Sequence, residues 1–256
     1  MFKVLFQDND LVVIHKPAGM LVHRSELDVH EQRIVLQLLS EQLGKHLYPV
    51  HRLDKATSGV LIFALSPEAA RSIQEQFQAH QIQKTYLAIV RGFLTGTGHV
   101  DHALSEKRDQ RRSKGTLSPK LWPGKPASTY YQGLATTELP IACGRYPSSR
   151  YSLVALYPQS GRRHQLRRHL KHINHPIIGD TTYGQGPHNR LFREHFNSHR
   201  LLLCAMKLSF QHPFKSTLLD ISTDLDEDFR AVTKALGWVD LPEILVPEFV
   251  TVFPSS

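Results

Sequence analysis

Asp54 is the residue around which chemistry can be organised. It sits in His51-Arg52-Leu53-Asp54-Lys55-Ala56-Thr57-Ser58-Gly59, one carboxylate among an Arg, a Lys, two hydroxyls and a Gly, just ahead of an apolar run. Opposite charges nearby favour the charged form of a carboxyl group. An ionised carboxylate held in a turn can serve as a base, a nucleophile or a metal ligand. The competing reading is a plain Asx turn, in which the carboxylate only accepts backbone N–H groups ahead of a strand.

Gly161-Arg162-Arg163-His164-Gln165-Leu166-Arg167-Arg168-His169-Leu170 is the second such stretch. On a helix, Leu166, Leu170 and Ile173 share one face, which docks it on a core. Arg163 and Arg167 fall four apart along one stripe, with Arg168, Lys171 and His172 elsewhere on the polar side. A guanidinium is always charged and can orient a carboxylate through two hydrogen bonds, yet for any one Arg here the plain reading is the solvated face of an amphipathic helix. The third stretch is Lys84-Thr85-Tyr86-Leu87-Ala88, where a single Tyr on a strand reads as half-buried packing. His164, His169, His172 and His175 raise the further reading of a metal-dependent nuclease. Five interleaved cations would repel a divalent ion, and no carboxylate falls among them before Asp180, so no metal site is expected.

Periodicity and turn residues place these stretches on elements. Strands are expected over residues 4–6 and 11–15, broken by Lys16-Pro17-Ala18-Gly19. Helical spacing runs over 35–43, with Gly44 as the stop. The continuous apolar run 60–65 reads as a strand buried on both faces. Ser66-Pro67 opens a helix to about residue 80. Further strands are expected at 85–90, 128–134, 151–157 and 201–210, with helices over 164–173 and 225–236. Thr223 or Asp224 is the expected cap of the last helix, and Gly237 its stop. Strands and helices do not alternate strictly, so the expected class is α+β, a mixed and largely antiparallel central sheet flanked by helices and loops. Residues 101–126 form a basic stretch with little apolar periodicity, expected to be a loop insertion that orders on RNA.

The chain has 256 residues, 41% hydrophobic, with 31 Lys and Arg against 23 Asp and Glu, a net charge of +8. That excess favours a polyanionic partner. The longest apolar runs are far too short to span a membrane. Cys143 and Cys204 form no framework and read as free buried thiols. With no signal-peptide pattern behind Met1, the expected location is the cytoplasm.

Together these segments resemble the pseudouridine synthase family that modifies ribosomal and transfer RNA. His51–Gly59 fits the family signature H-R-L-D-x-x-T-S-G at every fixed position. Gly161–Arg167 fits G-R-x-H-Q-L-R, and Lys84–Ala88 fits K-x-Y-x-A. Residues 15–23 resemble K-P-x-G-x-x-V-H, and residues 175–184 resemble H-P-I-x-G-D-x-x-Y-G. One departure is Cys204, in Arg200-Leu201-Leu202-Leu203-Cys204-Ala205, where the family usually has His.

The resemblance implies that Asp54 is the catalytic nucleophile, that Arg167 pairs with it, and that Tyr86 packs on the target base. It further implies substrate contacts from His51, Arg52, Thr57 and Leu203, and RNA contacts from Arg108, Arg111, Arg112, Lys114, Arg163 and Arg168. The expected organisation is a single catalytic domain over residues 1–256 without an S4-type RNA-binding domain, acting as a monomer with neither cofactor nor metal. Within the family, residues 80–84, 144–151 and 167–170 resemble a branch that modifies uridine 65 in the T-stem of tRNA. Ribosomal RNA is the rival substrate. A non-catalytic RNA-binding protein would account for the charge but would not need Asp54, Tyr86 and Arg167 together.

Overall fold

A twisted mixed sheet forms the spine of the computed structural model, which describes residues 1–23, 34–105 and 124–239. Its strands are β1 (Lys3–Gln7), β2 (Leu11–Lys16), β3 (Tyr48–Pro49), β4 (Ser58–Ala64), β5 (Gln83–Arg91), β6 (Thr97–Asp101), β7 (Ser128–Leu139), β8 (Ser149–Pro158), β9 (Leu203–Gln211) and β10 (Leu218–Ser222). The order across the sheet is β1-β2-β4-β9-β5-β8-β7-β6, with β3 beside β4 and β10 beside β9. Among these pairings only β4 with β9 is parallel, a two-residue seam joining Ser58 to Cys204 and Gly59 to Ala205. Five helices accompany the sheet among the described residues: α1 (Val35–Leu43), α2 (Pro67–Gln78), α3 (Gln165–His172), α4 (Gly186–Phe196) and α5 (Glu227–Ala235). The architecture is the α+β class expected.

Side chains alternate across each strand, so the sheet has two cores. On one face, Val12, Ile14, Leu61 and Phe63 receive Val35 and Leu39 of α1. Further along it, Ala88, Val90, Val154, Leu156 and Leu203 receive Leu166 and Leu170 of α3. On the opposite face, Val60, Ile62, Leu208 and Phe210 pack under Ala69, Ala70 and Ile73 of α2. Beside them, Leu87, Ile89, Leu153 and Cys204 pack under Leu191 and Phe192 of α4 and Phe229 and Val232 of α5. All seven residues of β4 are buried, as a strand covered on both sides requires.

The local signals act as chemistry dictates. Gly44 closes α1 in the left-handed region (φ 62°). Ser66 Oγ accepts from Ala69 N at 3.1 Å to cap α2, and Pro67 fills its first turn. Helix α5 starts later than expected, with Asp226 instead of Thr223 or Asp224 in the cap position and no side-chain capping bond; Thr223 and Asp226 bond to His15. Helix α3 also starts late: His164 is left-handed (φ 53°), so Arg163 precedes the helix and shares no stripe with Arg167. Helix α4, the two-residue strand β3 and strands β6 and β10 were not expected. The helix Gly186–Phe196 is polar along most of its length, with Leu191 and Phe192 its buried apolar side chains. Both β6 and β10 are short and half exposed. Strands β6 and β7 form a hairpin whose base is closed by the Leu104–Lys125 bridge. The basic insertion lies inside that hairpin, and Arg108, Arg111, Arg112 and Lys114 lie outside the described residues.

Candidate active site

Asp54 occupies a turn between β3 and β4 that is closed by Thr57 N donating to Asp54 O at 3.0 Å. The turn is fastened from below by Lys16, at the end of β2 and fully buried. Its ammonium donates to Pro17 O (2.9 Å), Met20 O (2.8 Å) and Lys55 O (3.2 Å). Gly19 N also donates to Lys55 O at 2.8 Å. The Lys-Pro-Ala-Gly turn and the Asp54 turn are thereby stitched into one unit. Burial, helped by the charge of Arg200, pulls the Lys16 pKa down to about 7, against the attraction of Asp54 and Asp226.

The Asp54 carboxylate is 22% exposed and is approached from two sides. Arg167 Nη1 lies 3.4 Å from Oδ2, and His164 Nε2 lies 3.8 Å from Oδ1. Arg167 spends its strong hydrogen bonds elsewhere. Its Nε donates to Asp180 Oδ2 at 2.7 Å and its Nη2 to Asp180 Oδ1 at 2.9 Å. The two-bond grip expected on Asp54 is therefore made on Asp180, whose side chain is only 1% exposed. The reason is desolvation: a buried guanidinium needs a counter-charge that is itself out of water, and the half-open Asp54 is a poorer one. Asp180 is fixed in turn by N–H donors from Thr182 (2.8 Å) and Tyr183 (2.9 Å) on Oδ1. Burial alone would raise its pKa, but Arg167 and those two N–H groups outweigh it and hold the carboxyl below the usual range. The Arg167 guanidinium also lies 5.2 Å from the Tyr183 ring centroid.

Tyr86 rises from β5 at a register shift against β9, half-buried on the same face. It packs against the clusters containing Leu53 and Ala205 on one side and Leu166 and Leu203 on the other. Burial, then the negative charge of Asp54, pushes its hydroxyl pKa up, so the phenol stays protonated. Asp54, Tyr86, Arg167 and Leu203 thus border one region of the sheet face, with Thr57 buried in the turn and Arg52 exposed on it.

His51 goes elsewhere. Its Nε2 accepts from Ile62 N at 3.0 Å, and its ring stacks on Phe77 of α2, with centroids 4.8 Å apart. The expected substrate contact from His51 is therefore redirected into packing. Burial, with Lys84 nearby, lowers its pKa to about 3. Arg163 is exposed and Arg168 half-buried.

The four clustered histidines do not converge. His169 is buried between Thr129 Oγ1 (2.9 Å) and His102 O (3.0 Å), and His172 stacks on His102. His175 Nδ1 lies 2.8 Å from Arg91 O. Among the described residues, the group with metal-like spacing is Asp8, Asp10 and His212. There, His212 Nδ1 accepts from Phe214 N and Lys215 N, which puts the ring proton on Nε2, the atom facing Asp8 at 2.8 Å. The cluster is a hydrogen-bonded clamp between two turns. A cavity of about 720 Å³ at the start of α5 is lined by Lys3, His15, Asp226 and Arg230; Asp54, Tyr86 and Arg167 do not line it.

In the sequence His164 stands out only as a candidate metal ligand, while Tyr183 and the bond from Asp180 to Arg167 pass unnoticed, although all lie in the motifs quoted. Spacing alone carries no sign that residues 13 or 113 positions apart will meet.

Comparison with known proteins assigns this chain, with its open and mostly antiparallel sheet, to a class of RNA-modifying isomerases. The RNA pseudouridylate synthase family matches residues 10–172. The chain is 48% identical over 238 residues to tRNA pseudouridine synthase C of Vibrio cholerae serotype O1, covering 93% of this chain and 97% of that one. It is 46% identical to tRNA pseudouridine synthase C of Haemophilus influenzae, covering 93% and 99%. Among solved structures, human RNA pseudouridylate synthase domain containing 4 superimposes with a TM-score of 0.68 at 28% identity, covering 92% of this chain and 93% of that one. The chain belongs to the RNA pseudouridylate synthase family and is an isomerase.

Proposed function

We propose that this enzyme converts one uridine of a tRNA, uridine 65 in the T-stem, to pseudouridine, with Asp54 as the reacting carboxylate. The observation that carries the reading is the placing of Asp54, partly open to solvent, with Oδ2 3.4 Å from Arg167 and close enough to Tyr86 for its charge to help raise the phenol pKa. The tRNA substrate is supported by the tRNA pseudouridine synthases to which 93% of the chain aligns.

The target nucleotide leaves its stack to reach this face. Asp54 then acts either on C1′ of the ribose as a nucleophile or on C2′ as a base. The N1–C1′ bond breaks, the uracil turns, and a C5–C1′ bond forms. The proton lost from C5 is balanced by one gained at N1, so product and substrate are isomers and the chemistry calls for neither cofactor nor metal. Arg167 holds Asp54 in place, Tyr86 lies against the base, and the apolar wall around Leu53, Leu166 and Leu203 limits access of water to the reacting sugar. We read residues 1–256 as one catalytic domain working as a monomer in the cytoplasm. RNA then docks through Arg52, Arg163, Arg168 and the basic insertion with Arg108, Arg111, Arg112 and Lys114.

The test is pseudouridine mapping by carbodiimide labelling and primer extension, with chelator present, on an unmodified tRNA transcript and a ribosomal RNA fragment. The expected result is a stop in the tRNA T-stem that disappears with Asp54→Ala while RNA affinity persists. A stop in ribosomal RNA alone would overturn the substrate, and turnover by Asp54→Ala would overturn the mechanism.

A further inference from the structure

Asp54 has two carboxylate oxygens, and Arg167 accounts for only one of them. We propose that His164 is a second positioning residue for Asp54, its imidazole restraining Oδ1 while Arg167 restrains Oδ2, so that the carboxylate meets the ribose in one orientation. The inference rests on Asp54 being the reacting group.

Four observations point this way. His164 is a non-Gly residue in the left-handed region, at φ 53° and ψ 29°, where Gly or Asn sits more easily. It precedes α3 but its side chain makes no capping hydrogen bond, so the helix gains nothing from the imidazole. What the backbone twist achieves is aim: Nε2 lies 3.8 Å from Asp54 Oδ1, with the ring 20% exposed. The other end of the ring is fixed as well. Its Nδ1 is 3.1 Å from the Tyr183 hydroxyl, and the two rings meet edge to face at 5.6 Å.

Tyr183 is the common support, because the same ring lies against the Arg167 guanidinium and its backbone N–H is bound by Asp180. Both restraints on Asp54 therefore trace back to one turn after α3. With the Tyr183 hydroxyl donating to Nδ1, the ring proton sits on Nε2 and faces Asp54.

The charged groups around the imidazole are Asp54, Arg167, Arg163 and Asp180. Burial is the largest influence on it; Asp54 and Asp180 pull the other way, the two guanidiniums reinforce burial, and the net pKa is lowered. The ring is thus neutral at pH 7 and, at 3.8 Å, limits the travel of Oδ1 without locking Asp54 into an ion pair. In acid the imidazolium would form that ion pair and hold back the oxygen.

The experiment uses single-turnover and steady-state kinetics on an unmodified tRNA transcript between pH 5 and 8.5, with wild type, His164→Gly, Tyr183→Phe and Asp54→Ala. Glycine suits the left-handed backbone and removes only the ring. A loosened carboxylate should cost His164→Gly about 10²-fold in kcat with KM within about threefold, since a misplacement of this kind acts on the chemical step. Added imidazole should restore part of the rate, and the acid limb due to the ring should vanish. Tyr183→Phe should displace that limb while leaving KM unchanged. The inference fails if folded His164→Gly keeps wild-type kcat and pH profile, or, should that variant not fold, if Tyr183→Phe leaves the profile unmoved. Turnover by Asp54→Ala would instead defeat the underlying reading of the carboxylate.

Discussion

Replacing Asp180 by Asn removes one charge and leaves the volume almost unchanged, so it isolates what the buried pair with Arg167 contributes. Two hydrogen bonds of 2.7 and 2.9 Å join groups whose side chains are 8% and 1% exposed. Losing one partner of such a pair costs about 3–5 kcal/mol, and because Asn keeps one acceptor the lower end applies. At about 2–4 °C per kcal/mol for a protein of this size, the melting temperature at pH 7 should fall by roughly 6–12 °C. The pKa of Asp180 is depressed in the fold, so its contribution is fully present above the unfolded value of about 3.9. It fades as pH falls through the lower folded value. The gap between wild type and Asp180→Asn should hold from pH 7 to about 4 and close below that. Turnover should suffer separately: a guanidinium without its buried partner turns its fork to Asp54, costing about 10²-fold in kcat while RNA affinity stays. Melting curves across pH and single-turnover rates measure both. A variant melting within about 2 °C of wild type at pH 7 would refute the assignment of Asp180 as the anchor.

Two other perturbations address the scaffold. Gly59 has φ +114°, and a Cβ there would lie 2.1 Å from Ala205 O, inside the parallel seam, so Gly59→Ala should cost more than about 4 kcal/mol and yield little soluble protein. Wild-type soluble yield and circular dichroism would count against that reasoning. His51 is held neutral with its pKa near 3, so stability is lost as pH falls from the unfolded value of about 6.5 towards 3. His51→Gln can still accept from Ile62 N and cannot titrate; its urea midpoint should fall less steeply than that of wild type between pH 7 and 4.5, with a residual slope from His188 of α4, whose pKa burial and the charge of Arg91 lower to about 4. Parallel slopes would exclude His51 as a source of the acid limb.

Local rules were legible wherever one segment contains its own cause. The apolar run of β4, the Ser66-Pro67 entry to α2 and the Gly44 stop of α1 need no distant partner, and each element lies where its pattern places it. Helix α4 was hidden because its buried side chains answer to β8 and α5 and not to a strong period of its own. The same limit governs the site. The motifs pick out Asp54, Tyr86 and Arg167 as a set, and the fold brings Asp54 and Arg167 within 3.4 Å. They do not say that Asp180 takes the stronger share of Arg167, nor that the His51 ring turns to Phe77, because both outcomes depend on which partner is better desolvated.

The place of β9 in the sheet has a consequence for synthesis. It lies between β4 and β5, which do not pair with each other, so residues 3–64 and 83–158 are joined across the sheet through a strand that begins at Leu203. Asp54 belongs to the first of these portions and Tyr86 to the second. A nascent chain made at about 5–20 residues per second would carry the Asp54 turn out of the ribosome roughly 7–30 seconds before the strand that joins its part of the sheet to that of Tyr86. The sheet that carries both Asp54 and Tyr86 therefore cannot be completed until Leu203–Gln211 have been made.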